Sequence, residues 1–83
     1  MRPMHELGIL RYALHQVKKI AEANHIHKIK HITLEIGEKS GIVVQYLQKL
    51  YPIASAQFPL TQNSELKIFI QPGNGITIKD IGY

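Results

Sequence analysis

Residues 28–38 read KIKHITLEIGE, and their alternation decides the class of fold. Ile32, Leu34 and Ile36 fall on one parity and His31, Thr33 and Glu35 on the other, the period of two that a half-buried strand requires. Gly37 marks its end. Upstream the period changes. Leu7, Leu10, Leu14, Val17 and Ala21 recur by three and four, with Ala13 and Ile20 widening the stripe, so residues 7–23 read as an amphipathic helix. Glu6 suits its start through the helix dipole, Lys18 and Lys19 lie toward its end, and Asn24 is a fitting terminator.

Downstream, Ser40 is the expected N-cap of a second helix whose apolar side carries Val43, Val44, Tyr46, Leu47, Leu50 and Tyr51, and Pro52 is expected to end or kink it. Residues 53–64 show no clean period and read as a surface connection with one further helical turn, leaving Phe58 and Leu60 as uncovered apolar residues. Leu66, Ile68 and Ile70 mark a second strand; Ile76, Ile78 and Ile81 mark a third. Between them lies Gln71-Pro72-Gly73-Asn74-Gly75. Its Asn-Gly pair is a hairpin signal, so the second and third strands are expected to pair directly and antiparallel. The order helix, strand, helix, strand, strand predicts an α/β fold: a two-layer sandwich of two helices on one face of a three-stranded sheet, mixed if the first two strands are neighbours.

Eighty-three residues allow one domain, 1–83, of a size that buries only about 60% of its unfolded surface. Without cysteine it has neither a disulfide framework nor a thiolate cage, so no structural zinc is expected. Stability then rests on packing or association, and an exposed sheet edge together with Phe58 and Leu60 in an irregular segment makes a homodimer the expectation. No apolar run approaches the ~20 residues of a membrane span and no secretion signal is present, which predicts a cytoplasmic protein. The net charge of +4 is dispersed along the chain with acids interleaved, predicting no nucleic-acid partner. Nucleophile elbows, phosphate loops and paired carboxylates are all missing, so the chain does not read as an enzyme.

Metal chemistry is the remaining candidate, carried by five histidines. His15 sits on the polar side of the first helix and reads as solvated. His25, His27 and His31 share a parity around the helix-to-strand turn, where a bulge or a third group would be needed to bring them to one ion. They form the second-ranked site. The first is Met4-His5-Glu6. A chain starting at Met4 offers an α-amine, the next amide nitrogen and the His5 imidazole, closing adjacent five- and six-membered chelate rings in a square plane that Ni(II) and Cu(II) accept and Zn(II) disfavours. Glu6 could supply a fourth ligand. The plain alternative is that these residues form the first turn of the helix, with Glu6 serving its dipole.

MHEL at residues 4–7, LEIGEKSGIV at 34–43, SELKI at 64–68 and the closing ITIKDI at 76–81 resemble the nickel-binding half of the hydrogenase nickel-incorporation (HypA/HybF) accessory proteins. That resemblance implies nickel(II) as the bound metal, Met4, His5 and Glu6 as its site, and maturation proteins or a nickel-enzyme precursor of [NiFe] hydrogenase or urease as partners. Three departures stand beside it. Met1-Arg2-Pro3 precede the motif, and a chain beginning there has an amide at Met4 in place of the amine. Some members carry a carboxylate near the position of Val43, which has no donor. Family members also insert a zinc-binding segment between the last two strands, where this chain has only the turn at residues 71–75. A metal-free interaction module that keeps the fold is therefore the competing function.

Overall fold

The computed structural model describes residues 3–83, with the side chains of residues 5–83. The elements run α1 (Pro3–Ala23), β1 (His31–Gly37), α2 (Val44–Ser55), a 3-10 turn (Pro59–Thr61), β2 (Glu65–Gln71) and β3 (Ile76–Gly82). Two helices cover one face of a three-stranded mixed sheet, the architecture expected from the periodicities.

α1 begins a turn earlier than its apolar stripe suggested, because Pro3 has a fixed φ and no N–H and is tolerated in the first turn of a helix. It ends in a left-handed cap. The His25 N–H donates to Glu22 O at 3.4 Å and the Ile26 N–H to Ala21 O at 2.9 Å, with His25 at φ 58°. Glycine is the residue that adopts this conformation without a Cβ penalty. His25→Gly should therefore raise stability by about 0.5–1 kcal/mol, read as an increased urea midpoint at constant slope; an unchanged midpoint would show that the His25 side chain compensates.

α2 departs from expectation at both ends. Its N-cap is Val43 and not Ser40, whose Oγ instead accepts the Ile42 N–H at 3.3 Å inside the preceding turn. At the other end the helix continues through Pro52 to Ser55. Proline removes one N–H but leaves its own carbonyl in service, and Pro52 O accepts the Ala56 N–H at 3.2 Å. The buried Leu47, Tyr51 and Ala54 hold the last turns on the core, outweighing the lost hydrogen bond.

The sheet order β2-β1-β3 overturns the expected hairpin. β1 lies in the middle, parallel to β2 and antiparallel to β3, so β2 and β3 never pair. The loop at 71–75 does not fold back on itself; it arches over the end of β1. Gly37 N–H donates to Gly75 O at 2.7 Å, Glu38 N–H to Gln71 O at 2.8 Å and Lys39 N–H to Gly73 O at 2.8 Å. An Asn-Gly pair supplies the turn but cannot say which strand its ends will meet. Here the central place goes to the segment with the most complete apolar face, since Ile32, Leu34 and Ile36 are all buried.

These three isoleucine and leucine side chains join Leu10, Leu14, Val17, Ala21, Ile29, Leu47 and Tyr51 in the core. Phe58 and Leu60, expected on the surface, are half-buried against that core. The Thr61 hydroxyl donates to Ser55 O at 2.9 Å and ties this connection down. The apolar residues that do remain exposed lie elsewhere: Tyr12 and Ile20 on α1, Ile53 on α2, and Phe69, Ile70, Ile76 and Tyr83 on or beside the outer strands.

Candidate metal centre

The family-like motif occupies the first turn of α1, where backbone N–H groups have no partner within the helix. Met1 and Arg2, on which the choice of starting residue depends, lie outside the described residues, as does the Met4 side chain. His5 is exposed and lines one end of a groove between α1 and β3. Glu6, the next residue, points the other way, since successive helical residues are rotated by about 100°.

Glu6 is only 1% exposed. Its Oε2 accepts the Val43 N–H at 3.1 Å, so the carboxyl group of α1 caps the chain at the start of α2, and its charge favours the positive end of that helix. Its Oε1 is buried with no hydrogen-bond partner among the described residues. A carboxyl oxygen left this way costs about 1–3 kcal/mol, and a site that accepts such a cost has an atom ready for a cation or a proton donor. The sequence reading took Glu6 as a metal donor or as serving the dipole of its own helix and missed this long-range contact. One signal was present: Glu6 stands four residues before Leu10 and therefore extends the buried stripe of α1.

The second-ranked histidines are not drawn into one site. His25 and His27 are exposed in the turn after α1, whereas His31 lies on the uncovered face of β1 with Nε2 3.4 Å from Asp80 Oδ1. A hydrogen bond from the Thr33 hydroxyl, with His31 adding to it, holds the Asp80 carboxyl below its ordinary range. No group of three or more metal-ligating side chains occurs among the described residues. His15 is an exposed residue whose ring meets Phe58 edge-on, with centroids 5.4 Å apart.

What the first turn can do chemically is narrow. It presents an imidazole and backbone nitrogens at the surface, a nitrogen donor set suited to a square-planar ion, while the Glu6 carboxyl group is buried against Val43. The partial positive charge of a helix N-terminus opposes a cation by about 0.3–1 kcal/mol, an amount small beside the bonds of a chelate.

The family described as hydrogenase/urease nickel incorporation, metallochaperone, HypA matches residues 4–76. A hydrogenase maturation factor HypA from Nitrosospira multiformis is 37% identical over 65 residues, covering 78% of this chain and 56% of its own length. One from Legionella pneumophila strain Lens is 33% identical over 73 residues, covering 88% and 64% respectively. The chain thus spans only 56% to 64% of these curated relatives. In fold it is similar to the solution structure of the Ni metallochaperone HypA from Helicobacter pylori, with a TM-score of 0.75 at 15% identity over 90% of this chain and 70% of that one. A second solution structure of HypA protein superposes with a TM-score of 0.68 at 17% identity, over 93% and 71%. With the family match running from the first turn of α1 to the first residue of β3, the chain belongs to the HypA family of hydrogenase/urease nickel-incorporation metallochaperones.

Proposed function

We propose that this domain binds Ni(II) at the head of α1 and passes it on during assembly of a nickel enzyme, a hydrogenase precursor or urease, as an accessory protein without catalysis of its own. One observation carries the reading: on successive residues of the family's motif, His5 is exposed at the surface while a Glu6 carboxyl oxygen is buried without a partner among the described residues. In a chain starting at Met4, the amine, the His5 amide nitrogen and the His5 imidazole take three places of the plane, and Glu6 supplies the fourth on turning its carboxylate away from Val43. The chain is a single domain corresponding to the family's nickel-binding half, with the loop at 71–75 standing where the zinc segment is expected. The partners of this delivery are maturation proteins or the nickel-enzyme precursor itself.

The test is titration with nickel. A chain starting at Met4 should bind one equivalent of Ni(II) as a yellow, diamagnetic complex, more tightly as pH rises because each ligand loses a proton on coordination. Cu(II) should bind more tightly at the same place, following the general order of divalent metals. His5→Ala should abolish binding and His15→Ala should leave it unchanged. A chain starting at Met1 should bind more weakly. Full binding by His5→Ala would move the metal elsewhere, and no binding by either chain would leave the metal-free interaction module as the function.

A further inference from the structure

The chain holds three asparagines, Asn24, Asn63 and Asn74, and the fold treats them differently. Asn24 donates its side-chain amide to Ile20 O at 2.8 Å, and the N–H that follows it, that of His25, donates to Glu22 O at 3.4 Å. Asn63 is followed by Ser64, whose N–H donates to Thr61 O at 3.1 Å. Asn74 is exposed, its side chain makes no hydrogen bond among the described residues, and the Gly75 N–H after it finds no acceptor there either. Gly75 is exposed too, and a Cβ placed on it would meet nothing within 4 Å.

An asparagine carboxamide is an electrophile carried beside the nitrogen of the next residue, and bonding between the two closes a five-membered ring. Closure needs a nitrogen free to shed its proton, a carboxamide free to turn, and no side chain on the following residue to block the approach. Of the three asparagine steps, only 74–75 meets all of these conditions.

We propose that Asn74–Gly75 is a site of spontaneous deamidation in the folded protein, and that its isoaspartyl product releases the loop from the end of β1. The Gly75 nitrogen attacks Asn74 Cγ; the new N–Cγ bond replaces the Cγ–Nδ2 bond, and the proton of the attacking nitrogen leaves with Nδ2 as ammonia. Water then opens the succinimide. Addition at Cγ gives aspartate on an unaltered backbone. Addition at the main-chain carbonyl carbon gives isoaspartate, in which the chain runs through Cβ and Cγ and is one atom longer. Either product carries a carboxylate where the neutral amide stood.

The extra atom falls between two anchors. Gly73 O accepts the Lys39 N–H at 2.8 Å, and Gly75 O accepts the Gly37 N–H at 2.7 Å. Between them the Asn74 Cα lies so close to Gly37 that a Cβ on Gly37 would stand 2.7 Å from it. A span packed this tightly has no room for a longer chain, so the isoaspartyl form gives up one anchor or both.

The test is to hold the full chain folded at physiological temperature in mildly alkaline buffer and follow it by peptide mass spectrometry. The peptide containing Asn74 should gain one mass unit over days, and protein isoaspartyl methyltransferase should label it with a methyl group from S-adenosylmethionine. Peptides containing Asn24 and Asn63 should stay unchanged. Gly75→Ala sets a methyl group beside the attacking nitrogen in otherwise open space, so it should fold as the wild type does and convert about 10-fold more slowly. In the converted fraction, separated by its added charge, the isoaspartyl share should lose the amide-exchange protection of Gly37 and Lys39. Asn74→Asp, with the same charge on an unaltered backbone, should keep it. An unmodified Asn74, conversion of Asn24 or Asn63 at the same rate, a Gly75→Ala chain that converts as quickly as the wild type, or full protection of Gly37 and Lys39 in the isoaspartyl form would each overturn the proposal.

Discussion

Gly37→Ala should lower stability by about 3 kcal/mol, a large part of what a domain of this size possesses. A Cβ at Gly37 would stand 2.5 Å from Gly73 O, 2.6 Å from Gly73 C and 2.7 Å from Asn74 Cα. All three are backbone atoms, which cannot rotate out of the way as a side chain can. The loop itself would have to lift, and it is held to the end of β1 by the hydrogen bonds of Gly37, Glu38 and Lys39, each contributing about 1 kcal/mol. Gly75→Ala is the control. Its Cβ would meet nothing within 4 Å, so a change within about 0.5 kcal/mol is expected. Urea unfolding of the three proteins reads both effects, and a Gly37→Ala midpoint close to that of the wild type would show that the arch over β1 is slack.

The second large effect belongs to Glu6, and it separates structure from metal binding. Glu6→Ala removes the acceptor of the Val43 N–H and leaves a cavity between α1 and the start of α2, while relieving the unpartnered Oε1. Loss of the cap and of the packing costs about 1–2 kcal/mol each and the relief returns about 1–3 kcal/mol, so the net change should be destabilising by about 1 kcal/mol. Glu6→Gln keeps an oxygen for Val43 and the volume of the side chain, and should fold within about 1 kcal/mol of the wild type. Its amide nitrogen cannot replace a carboxyl oxygen as a metal donor. Nickel affinity should therefore fall at least 10-fold in Glu6→Gln with the melt nearly unchanged. If nickel affinity survives in Glu6→Gln, Glu6 serves only to join α1 to α2, and the plane must be completed by a backbone nitrogen.

The same two residues show where sequence reading stops. Gly37 could be read as the end of a strand, but the reason for glycine there lies in a loop 34 residues further on, and no local pattern reports a close approach by distant backbone. Glu6 could be read as part of a donor set with Met4 and His5, because their adjacency in the chain sets the chelate rings whatever the fold. Its burial is a property of helix phase and of the segment opposite, which residue type alone argues against, since glutamate is seldom fully buried. The pairing of β2 and β3 failed for a related reason: hairpin chemistry describes the turn, while the choice of strand partner depends on which segment buries most apolar surface in the centre of the sheet.

By itself, then, the sequence determined what is set by short-range spacing: the 3.6-residue period of α1, the two-residue period of β1 and β2, the adjacency of Met4, His5 and Glu6, and the absence of cysteine. Tertiary structure alone decided which strand lies between the others, and that the Glu6 carboxyl turns from its own helix to Val43. These are outcomes of competition for one small core, in which every element's place depends on the apolar area left uncovered by the rest, a quantity that no window of a few residues contains.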